Sequence, residues 1–415
     1  MERDKINTLT NEQLEIKNKL EDWIYNKTTI EKYKCLTGKA GTGKTYLITC
    51  LDLPADTIFV APTHQASSVI SSQTNFPCVS YDSFTYSTPQ IEKDKLVFKS
   101  DKKKWKFAKN YDLIIVDESS MFSATMVNTL TTIYKKSKIL FVGDKGQLPP
   151  IDKDTYSVFD IYECYELTEN MRSGVNNPLL KLAEKHYLTT NIQIPTKSDC
   201  TDKGYKLINY TELADLFRNG KLDTVCVATN KLKDLINKDM HNKLHPNTTY
   251  GIGEKLIAND NIGYNSNANP KYKIINSAII TVLDYKSVSG KIIVDKYTDL
   301  FVEVMWEEIT TDANNYVVRV LNPMYIKVYK NFLKSIHKLC DLNILEWETY
   351  HKYKTYFSDI SYAYAITIHK SQGSTYNNIA IACRDINSFF DKSTIRIKLM
   401  YTAITRAKHI CYLIK

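Results

Sequence analysis

Residues 38-GKAGTGKT-45 predict how the first part of this chain folds. They fit the pattern G-x-x-x-x-G-K-[ST] between a short apolar strand, 33-YKCLTG-38, and the start of a helix, 44-KTYLITCL-51. The glycines let backbone N–H groups approach phosphate oxygens, and the helix N-terminus adds the positive end of its dipole. The expected nucleoside triphosphate site comprises Gly38, Ala40, Gly41, Thr42, Gly43, Lys44 and Thr45. In it, Lys44 would contact the β- and γ-phosphates and Thr45 would ligate Mg²⁺.

A second motif supplies the carboxylates that such a site needs. The segment 111-YDLIIVDESS-120 has an apolar run typical of a buried parallel strand, followed at once by two acids. Asp117 is placed to hold Mg²⁺, and Glu118 to polarise the attacking water as general base. The pattern therefore predicts ATP hydrolysis with Mg²⁺ as cofactor.

Four more apolar runs end in polar residues, and the spacing between them leaves room for helices. They are 57-TIFVAPTHQAS-67, 138-KILFVGDKGQLPPI-151, 223-DTVCVATNKL-232 and 377-NNIAIACRD-385. Strands that alternate with helices indicate an α/β protein with parallel sheets and crossover helices. In such sheets ligands bind at the carboxyl ends of the strands, where these polar residues lie.

Composition limits the class of protein further. The 415 residues suggest about two to four domains, and 43% hydrophobic residues allow sizeable cores. No run approaches the roughly 18 apolar residues of a membrane span, and the start does not resemble a signal peptide. Nine scattered Cys without a Cys-x-x-Cys pair indicate free thiols in a reducing, cytoplasmic setting and argue against zinc. The net charge of +9 allows a polyanionic partner, although a Lys-rich soluble surface explains it equally well.

Nine short motifs, taken together and in order, resemble the superfamily 1 DNA helicases of the RecD and Dda branch. They are 9-LTNEQ-13, the phosphate loop, 61-APTHQAS-67, 116-VDESSM-121, 143-GDKGQLPP-150, 167-LTENMRS-173, 228-ATNK-231, 366-ITIHKSQGST-375 and 399-LMYTAITRAK-408. The resemblance spans nearly the whole chain. It implies two RecA-like cores with ATP bound in the cleft between them.

The resemblance also implies roles for individual residues. Gln13 would recognise adenine, and Gln147 would sense the γ-phosphate and couple it to DNA. Gln372 and Gly373 would extend the nucleotide site. Arg172 and Arg406 would be arginine fingers. Only seven of the 55 basic residues are Arg, and a forked guanidinium meets two phosphate oxygens at once, as a Lys ammonium cannot.

Three loops are expected to contact single-stranded DNA. Such sites combine a basic groove with aromatic platforms under the bases. The resemblance assigns this role to three stretches, 61-APTHQAS-67, 79-VSYDSFTYS-87 and 366-ITIHKSQGST-375. The candidate residues are Thr63, His64, Tyr81, Phe84, Thr367, His369 and Lys370. A lone Tyr or Phe is nevertheless more often a core residue than a stacking platform.

Two insertions are expected to interrupt the cores. Residues 89–107 show two alternating runs around a polar turn, typical of a β-hairpin. The family places a strand-separating pin there, with Phe98 or Trp105 as a wedge, although a solvated Lys-rich hairpin packed on those two rings remains an alternative. Residues 248–356 resemble an SH3-like barrel followed by a helical stretch. The usual Asn-Gly is replaced there by 276-NS-277, which suggests a distorted barrel.

The predicted domains follow from these insertions. The first RecA-like core comprises residues 1–88 and 108–175, and the second comprises 176–247 and 357–415. Between them lie the hairpin at 89–107 and the barrel at 248–356.

The sequence as a whole predicts an ATP- and Mg²⁺-dependent helicase that translocates on single-stranded DNA and opens duplexes at single-strand–duplex junctions. The branch implies 5′→3′ movement, which composition and spacing do not show. The sequence suggests a monomer, although its oligomeric state is open. The likeness to Dda suggests a viral role in DNA replication or recombination, alongside replication proteins in the host cytoplasm. One alternative is a translocase that displaces proteins without processive unwinding. A nucleic-acid-binding scaffold with an inactive ATPase conflicts with the intact ATPase motifs.

Overall fold

The computed structural model describes residues 9–85, 90–92, 95–97, 110–150, 157–169, 178–179, 181–183, 204–265, 271–294, 299–388 and 393–415. The chain forms two compact units. The first comprises Met1–Thr85, Asp101–Lys233 and Ile366–Lys415, and the second comprises Tyr86–Ser100 and Asp234–Ala365. Among the described residues, no helix is both long and apolar enough to cross a membrane.

The first unit contains two sheets and the helices that cover them. Its strands are β1 (Tyr33–Gly38), β2 (Thr57–Ala61), β3 (Cys78–Ser80), β6 (Leu113–Val116), β7 (Lys138–Gly143), β8 (Cys164–Leu167), β9 (Gly204–Ile208), β10 (Thr224–Val227), β18 (Ala365–Thr367), β19 (Tyr376–Ala382) and β20 (Ala407–Ile414). Its helices are α1 (Asn11–Tyr25), α2 (Lys44–Thr49), α3 (His64–Ser71), α4 (Tyr81–Thr85), α5 (Ala124–Ile133), α6 (Leu213–Arg218), α10 (Cys383–Asn387) and α11 (Ser393–Ile404). Helix α7 (Asn230–Leu244) runs from the first unit into the second.

Six parallel strands form the first sheet, in the order β3-β2-β6-β7-β1-β8. All four residues of β6, Leu113–Val116, are buried, which is the pattern of a strand covered on both faces. Helix α1 contributes Leu20 and Trp23 to the same core. Strands β1 and β6 flank β7, so the loops that follow β1 and β6 leave the sheet at one edge.

The second sheet has the order β18-β10-β19-β20-β9, and β10, β19, β20 and β9 run parallel. Helix α11 covers it with Leu399, Met400 and Ile404, which pack against strand residues such as Ile379 and Leu413. An α/β protein with parallel, RecA-like sheets is therefore confirmed.

The second unit is built on antiparallel strands. They are β4 (Gln90–Glu92), β5 (Lys95–Val97), β11 (Lys255–Ala258), β12 (Ile262–Asn265), β13 (Lys271–Ile274), β14 (Ile279–Ile293), β15 (Phe301–Thr311), β16 (Val317–Leu321) and β17 (Ile360–Tyr362). Five of them form a sheet in the order β16-β15-β14-β11-β17, while β12 pairs with β13 and β4 with β5. Helices α8 (Ile326–Asp341) and α9 (Trp347–Lys354) pack together, and α8 lies against β15.

The 276-NS-277 stretch shows how the chain manages without the usual glycine. Ser277 adopts φ +69°, a left-handed conformation that favours glycine. Its N–H donates to the carbonyl of Ala258 at 2.9 Å, and the Ala278 N–H donates to the carbonyl of Ile275 at 3.0 Å. A hydrogen-bonded turn therefore forms, with its strain concentrated at Ser277.

Candidate nucleotide and nucleic-acid site

The phosphate loop connects β1 to α2, as the motif predicts. Gly41 and Gly43 have φ values of +89° and +82°, which explains why glycine occupies both positions. A Cβ at Gly38 would lie 2.8 Å from the Leu167 carbonyl oxygen, so this position tolerates no side chain. The Lys44 ammonium donates to the carbonyl of Gly38 at 2.6 Å and to that of Lys39 at 3.1 Å. The cation thus lies directly over the loop that would cradle the phosphates.

The two acids follow β6, on the other side of β7. The Glu118 N–H donates to Asp117 Oδ1 at 2.9 Å, and Glu118 itself has φ +49°, a strained conformation for a residue with a side chain. Burial, together with the neighbouring Glu118, holds the pKa of the Asp117 carboxyl above its usual value, while the Lys44 charge lowers it. A dication in contact with Asp117 would favour its ionised form, so the site suits Mg²⁺.

A buried contact that the sequence reasoning missed joins the phosphate loop to α11. The Tyr401 hydroxyl donates to Asp144 Oδ2 at 2.7 Å and accepts from the Ala40 N–H at 3.1 Å. Tyr401 is 2% exposed, and burial raises the pKa of its hydroxyl, which stays protonated and donates. Asp144 Oδ1 also accepts from the Gly146 N–H at 2.8 Å, within the 143-GDKGQLPP-150 motif. Tyr401 therefore links two motifs around the first sheet to the helix that precedes Arg406.

Gln147 lies in the same motif and is 5% exposed. Its Oε1 is buried and accepts no hydrogen bond from any residue that the structure describes. Buried acceptors are normally satisfied, so this oxygen is available to a water or ligand donor.

Gln13 is held by two contacts at the N-terminus of α1. Its Nε2 donates to the Thr42 carbonyl at 3.1 Å, and its Oε1 accepts from the Thr10 N–H at 3.2 Å as part of a capping box. The side chain expected to recognise adenine thus also connects α1 to the phosphate loop.

Glu12, which the motif reasoning passed over, lies next to Gln13. Its carboxylate accepts from Thr168 Oγ1 at 2.6 Å and from the N–H groups of Thr168 and Glu169. It therefore anchors the start of 167-LTENMRS-173 to α1. Arg172, the expected finger in that motif, lies outside the described residues.

Arg406 lies between α11 and β20 and is 6% exposed. Its Nε donates to the Thr402 carbonyl at 3.2 Å, and its Nη1 donates to the Ser374 carbonyl at 3.3 Å. Next to Ser374, Gly373 has φ +73°, while the Gln372 amide donates to the Leu148 carbonyl at 3.4 Å. Arg406 Nη2 also donates to Thr405 Oγ1 at 3.2 Å. The guanidinium is thus held by two backbone carbonyls and one hydroxyl, which an anion could replace.

The expected DNA contacts divide into two groups. Thr63 is exposed and caps α3 by accepting from the Ala66 N–H at 3.1 Å, with His64 beside it. Thr367 ends β18 and Lys370 lies on the loop that follows; both are half-buried, and the Lys370 N–H donates to Thr367 Oγ1. Burial lowers the pKa of His369 on that loop, so this imidazole stays neutral near pH 7 and can act as a hydrogen-bond donor.

Tyr81 and Phe84 require a correction, because both are core residues. Tyr81 is 2% exposed and meets Phe122 edge-on at 5.6 Å between ring centroids. Phe84 is 7% exposed and stacks on Tyr134 at 4.5 Å. The prediction that these rings stack on bases was wrong, because neighbouring rings of the protein already cover them. Phe98 and Trp105 lie outside the described residues.

Comparisons with known proteins agree with these motifs. Residues 24–186 match the model of an AAA domain, and residues 362–414 match that of the UvrD-like helicase C-terminal domain. The ATP-dependent DNA helicase Dda of Enterobacteria phage T4 is 23% identical, over 90% of this chain and 92% of its own length. An uncharacterized protein of Acanthamoeba polyphaga mimivirus is 25% identical, over 94% of this chain and 96% of its own.

Two solved structures share the fold. A structure of Pif1 helicases unwinding forked double-stranded DNA has a TM-score of 0.52 at 19% identity, covering 97% of this chain and 91% of that one. Pif1 of Candida albicans has a TM-score of 0.51 at 15% identity, covering 98% and 94%. The Pif1 likenesses concern the fold alone. The two matched models and the Dda relative support a superfamily 1 DNA helicase of the RecD and Dda type that hydrolyses ATP.

Proposed function

We propose that this chain is a Mg²⁺-dependent DNA helicase that moves 5′→3′ along single-stranded DNA and separates duplexes. One observation carries the proposal. The Tyr401 hydroxyl bridges the phosphate loop at Ala40 and the sensor motif at Asp144, and its helix leads directly to Arg406. Events at the nucleotide can therefore reach the second sheet through a single buried side chain.

The nucleotide chemistry is divided among the first sheet's loops. The phosphate loop, with Lys44, binds the β- and γ-phosphates, while Thr45 and Asp117 supply the oxygen ligands that suit Mg²⁺. Mg²⁺, when bound, neutralises charge on the phosphate oxygens. Glu118 orients and deprotonates the attacking water. Gln147 accepts a hydrogen bond from that water with its unsatisfied Oε1, and its Nε2 would donate to the γ-phosphate. Gln13 holds the adenine, and Gln372 and Gly373 border the site.

Arginine fingers would couple hydrolysis to movement. Arg406, and Arg172 with it, would stabilise the charge that spreads over the transferring phosphoryl group, which is worth roughly 10³–10⁵ in turnover. To reach the nucleotide, Arg406 exchanges its carbonyl contacts for phosphate oxygens. The γ-phosphate then biases a two-state element, and its release resets that element.

The DNA track uses two loops of the first unit, one exposed at Thr63 and the other half-buried at Thr367, His369 and Lys370. Thr63 and His64 would contact the strand from the first sheet's side, and Thr367, His369 and Lys370 from the second sheet's side. The Pif1 structures include one solved with single-stranded DNA, at a TM-score of 0.52 and 18% identity. The relatives from a phage and a mimivirus support a role in viral DNA replication or recombination.

The insertions would act on the duplex. The β4–β5 hairpin, Gln90–Glu92 paired with Lys95–Val97, would be the strand-separating pin of residues 89–107, with Phe98 or Trp105 as its wedge. The five-stranded antiparallel sheet of the second unit would be the SH3-like barrel of residues 248–356. A paired hairpin favours strand separation over a translocase without unwinding.

The test compares two duplexes with one sequence, one bearing a 5′ single-stranded tail and the other a 3′ tail. We expect ATP-driven unwinding of the 5′-tailed duplex only, and no unwinding by Lys44→Ala, which loses the phosphate-binding cation. Unwinding of the 3′-tailed duplex would reverse the proposed polarity. Single-strand-stimulated ATP hydrolysis without unwinding of either duplex would replace the helicase by a translocase.

A further inference from the structure

Helix α8 (Ile326–Asp341) presents two faces of different chemistry. Its buried face consists of Tyr329, Phe332, Ile336 and Cys340, spaced by three and four residues. Lys327, Lys330, Lys334 and Lys338 repeat the same spacing, and all four are exposed. At about 3.6 residues per turn, they line up on the side opposite the buried face. We name these four residues the lysine row.

The positive charges of the lysine row have no acidic partners among the residues that the structure describes. None of its four ammonium groups makes an ion pair or hydrogen bond with any residue that the structure describes. The acid on this side of the helix, Asp341, pairs with His337 at 3.0 Å. Like charges at i,i+4 destabilise a helix by roughly 0.2–0.5 kcal/mol per pair, and a cation in the first turn opposes the helix dipole.

Other helices of this chain balance such charges. Lys17 pairs with Glu21 at 2.6 Å and Lys19 with Glu15 at 2.5 Å on α1, all four within two turns. On α7, Lys243 pairs with Asp239 at 2.8 Å. The lysine row therefore departs from the chain's own pattern and leaves four cations for an external anion.

Charge density favours a duplex as that anion. Lys327 and Lys338 are eleven residues apart along the helix, which is roughly 16 Å at about 1.5 Å per residue. Duplex DNA carries about ten phosphate charges over that length and a single strand about half as many. Single-strand sites interleave cations with aromatic platforms, but this face of the helix carries Asn331 and Asp341 beside the lysines and no Phe, Tyr or Trp.

The position of the helix within its unit fits the same partner. Helix α8 packs on α9 (Trp347–Lys354), and α9 lies against β4 of the hairpin. The lysine row thus belongs to the unit that carries the hairpin expected to open the duplex.

We propose that the lysine row binds the sugar-phosphate backbone of double-stranded DNA, as a contact separate from the single-strand track. The proposal deepens the proposed function, since the bound duplex would be the one that the helicase opens. The lysine row does not discriminate between base sequences, because ammonium–phosphate contacts position a duplex without specifying its bases.

The experiment uses the full chain with all four lysines replaced: Lys327→Gln, Lys330→Gln, Lys334→Gln and Lys338→Gln. A matched control removes the same charge from four exposed lysines elsewhere: Lys135→Gln, Lys136→Gln, Lys221→Gln and Lys238→Gln. The affinities of both variants and the wild type are measured for a blunt duplex of about 20 base pairs and for a single strand, each at several salt concentrations. Thermal unfolding checks that the row variant folds, and we expect no loss because repulsion is removed.

For the row variant, the slope of log K against log salt on the duplex should fall by about 3 to 4, at roughly 0.9 per phosphate contact. Single-strand affinity and single-strand-stimulated ATP hydrolysis should match the wild type, and the control should keep the duplex slope. An unchanged duplex slope would show the row to be a solvated face. An equal loss on the single strand would assign it to the single-strand track. Either result overturns the proposal, while absence of stimulated hydrolysis in the wild type would count against the proposed function alone.

Discussion

At the scale of single residues, the site is organised around hydroxyl and guanidinium groups near the C-terminus. Tyr401 and Arg406 lie five residues apart, at the end of α11 and just beyond it. Tyr401 contacts the phosphate loop directly, whereas Arg406 contacts backbone carbonyls. The first group therefore connects the two sheets of the unit, and the second is the one that the proposed finger role requires to move.

Tyr401→Phe tests the link between the phosphate loop and α11, because it removes the hydroxyl and keeps the ring. Asp144, 2% exposed, then loses a hydrogen bond in a buried setting, so the free energy of unfolding should fall by about 1–3 kcal/mol. Chemical denaturation of Tyr401→Phe, Asp144→Asn and the double variant measures the coupling. The two effects should be less than additive, by about 0.5–3 kcal/mol.

Asp385→Asn provides the control for this cycle. Asp385 accepts from the N–H groups of Ala228 and Thr229, which follow β10, whereas Tyr401 bonds to Ala40 and Asp144. The loss of unfolding free energy caused by Asp385→Asn should add to that caused by Tyr401→Phe. If the losses from Asp144→Asn and Tyr401→Phe were also simply additive, the hydrogen bond between Tyr401 and Asp144 would not contribute to stability.

Arg406→Lys should retain ATP binding and lose turnover by about 10³-fold or more. A Lys ammonium keeps the charge but cannot bridge two equatorial oxygens of the transferring phosphoryl group. The measurement is steady-state ATP hydrolysis with saturating single strand, beside equilibrium binding of an ATP analogue. Arg218→Lys is the matched control, since Arg218 is exposed and pairs with Asp215 at 2.6 Å. A fully active Arg406→Lys would refute the finger assignment.

At the scale of elements, the sequence predicted strands and loops well and side-chain burial poorly. The apolar runs before Asp117 and Gly143 predicted β6 and β7, because strands buried on both faces lack polar alternation. Tyr81 and Phe84 were misplaced because an aromatic residue near a binding loop looks the same in sequence whether it faces solvent or core. Tyr401 and Glu12 were missed because their partners lie 257 and 156 residues away, a separation that no local pattern encodes.

Glu12 provides a prediction at this scale, because it ties α1 to the strand end at Thr168. Burial would raise the pKa of the Glu12 carboxyl, but hydrogen bonds from Thr168 and Glu169 outweigh it and hold that pKa below its usual value. A lowered folded-state pKa means that the contact stabilises the fold above about pH 4.3, the unfolded value, and is lost as pH falls through the folded value.

Glu12→Gln should therefore be less stable than the wild type at pH 7, and the difference should shrink as pH falls below about 4.3. Thermal unfolding of both proteins between pH 7 and the acid limit of folding gives the comparison. Glu15→Gln, which breaks an exposed pair with Lys19, serves as the control for losing one surface carboxylate. A pH-independent difference would mean that the ionised carboxylate is not what anchors the strand end.

At the scale of the whole molecule, the two parallel sheets share one unit while the antiparallel strands and the α8–α9 pair form another. Sequence reasoning expected the second sheet and the insertion to be separated at 248 and 356, whereas the structural units divide near Lys233 and Ala365. At the first of these boundaries, the difference arises because most of α7 (Asn230–Leu244) belongs to the second unit, whereas the sequence assigned the whole helix to the second core. Motifs indicate where chemistry lies, but compactness depends on packing between distant segments.

The last prediction concerns the charge of the whole chain, +9 over 415 residues. If single-stranded DNA follows a basic track through the first unit, each phosphate contact should contribute about −0.7 to the slope of log affinity against log salt. A measured slope near −3 would thus indicate about four contacts, in keeping with a short track. The measurement is fluorescence-anisotropy titration of a labelled oligonucleotide at several salt concentrations, with and without a non-hydrolysable ATP analogue. A change in slope between the two nucleotide states would show that contacts along the track are made and released with ATP, as stepping requires. A slope near zero in both states would remove the electrostatic track altogether, since no arrangement of aromatic contacts reproduces counterion release.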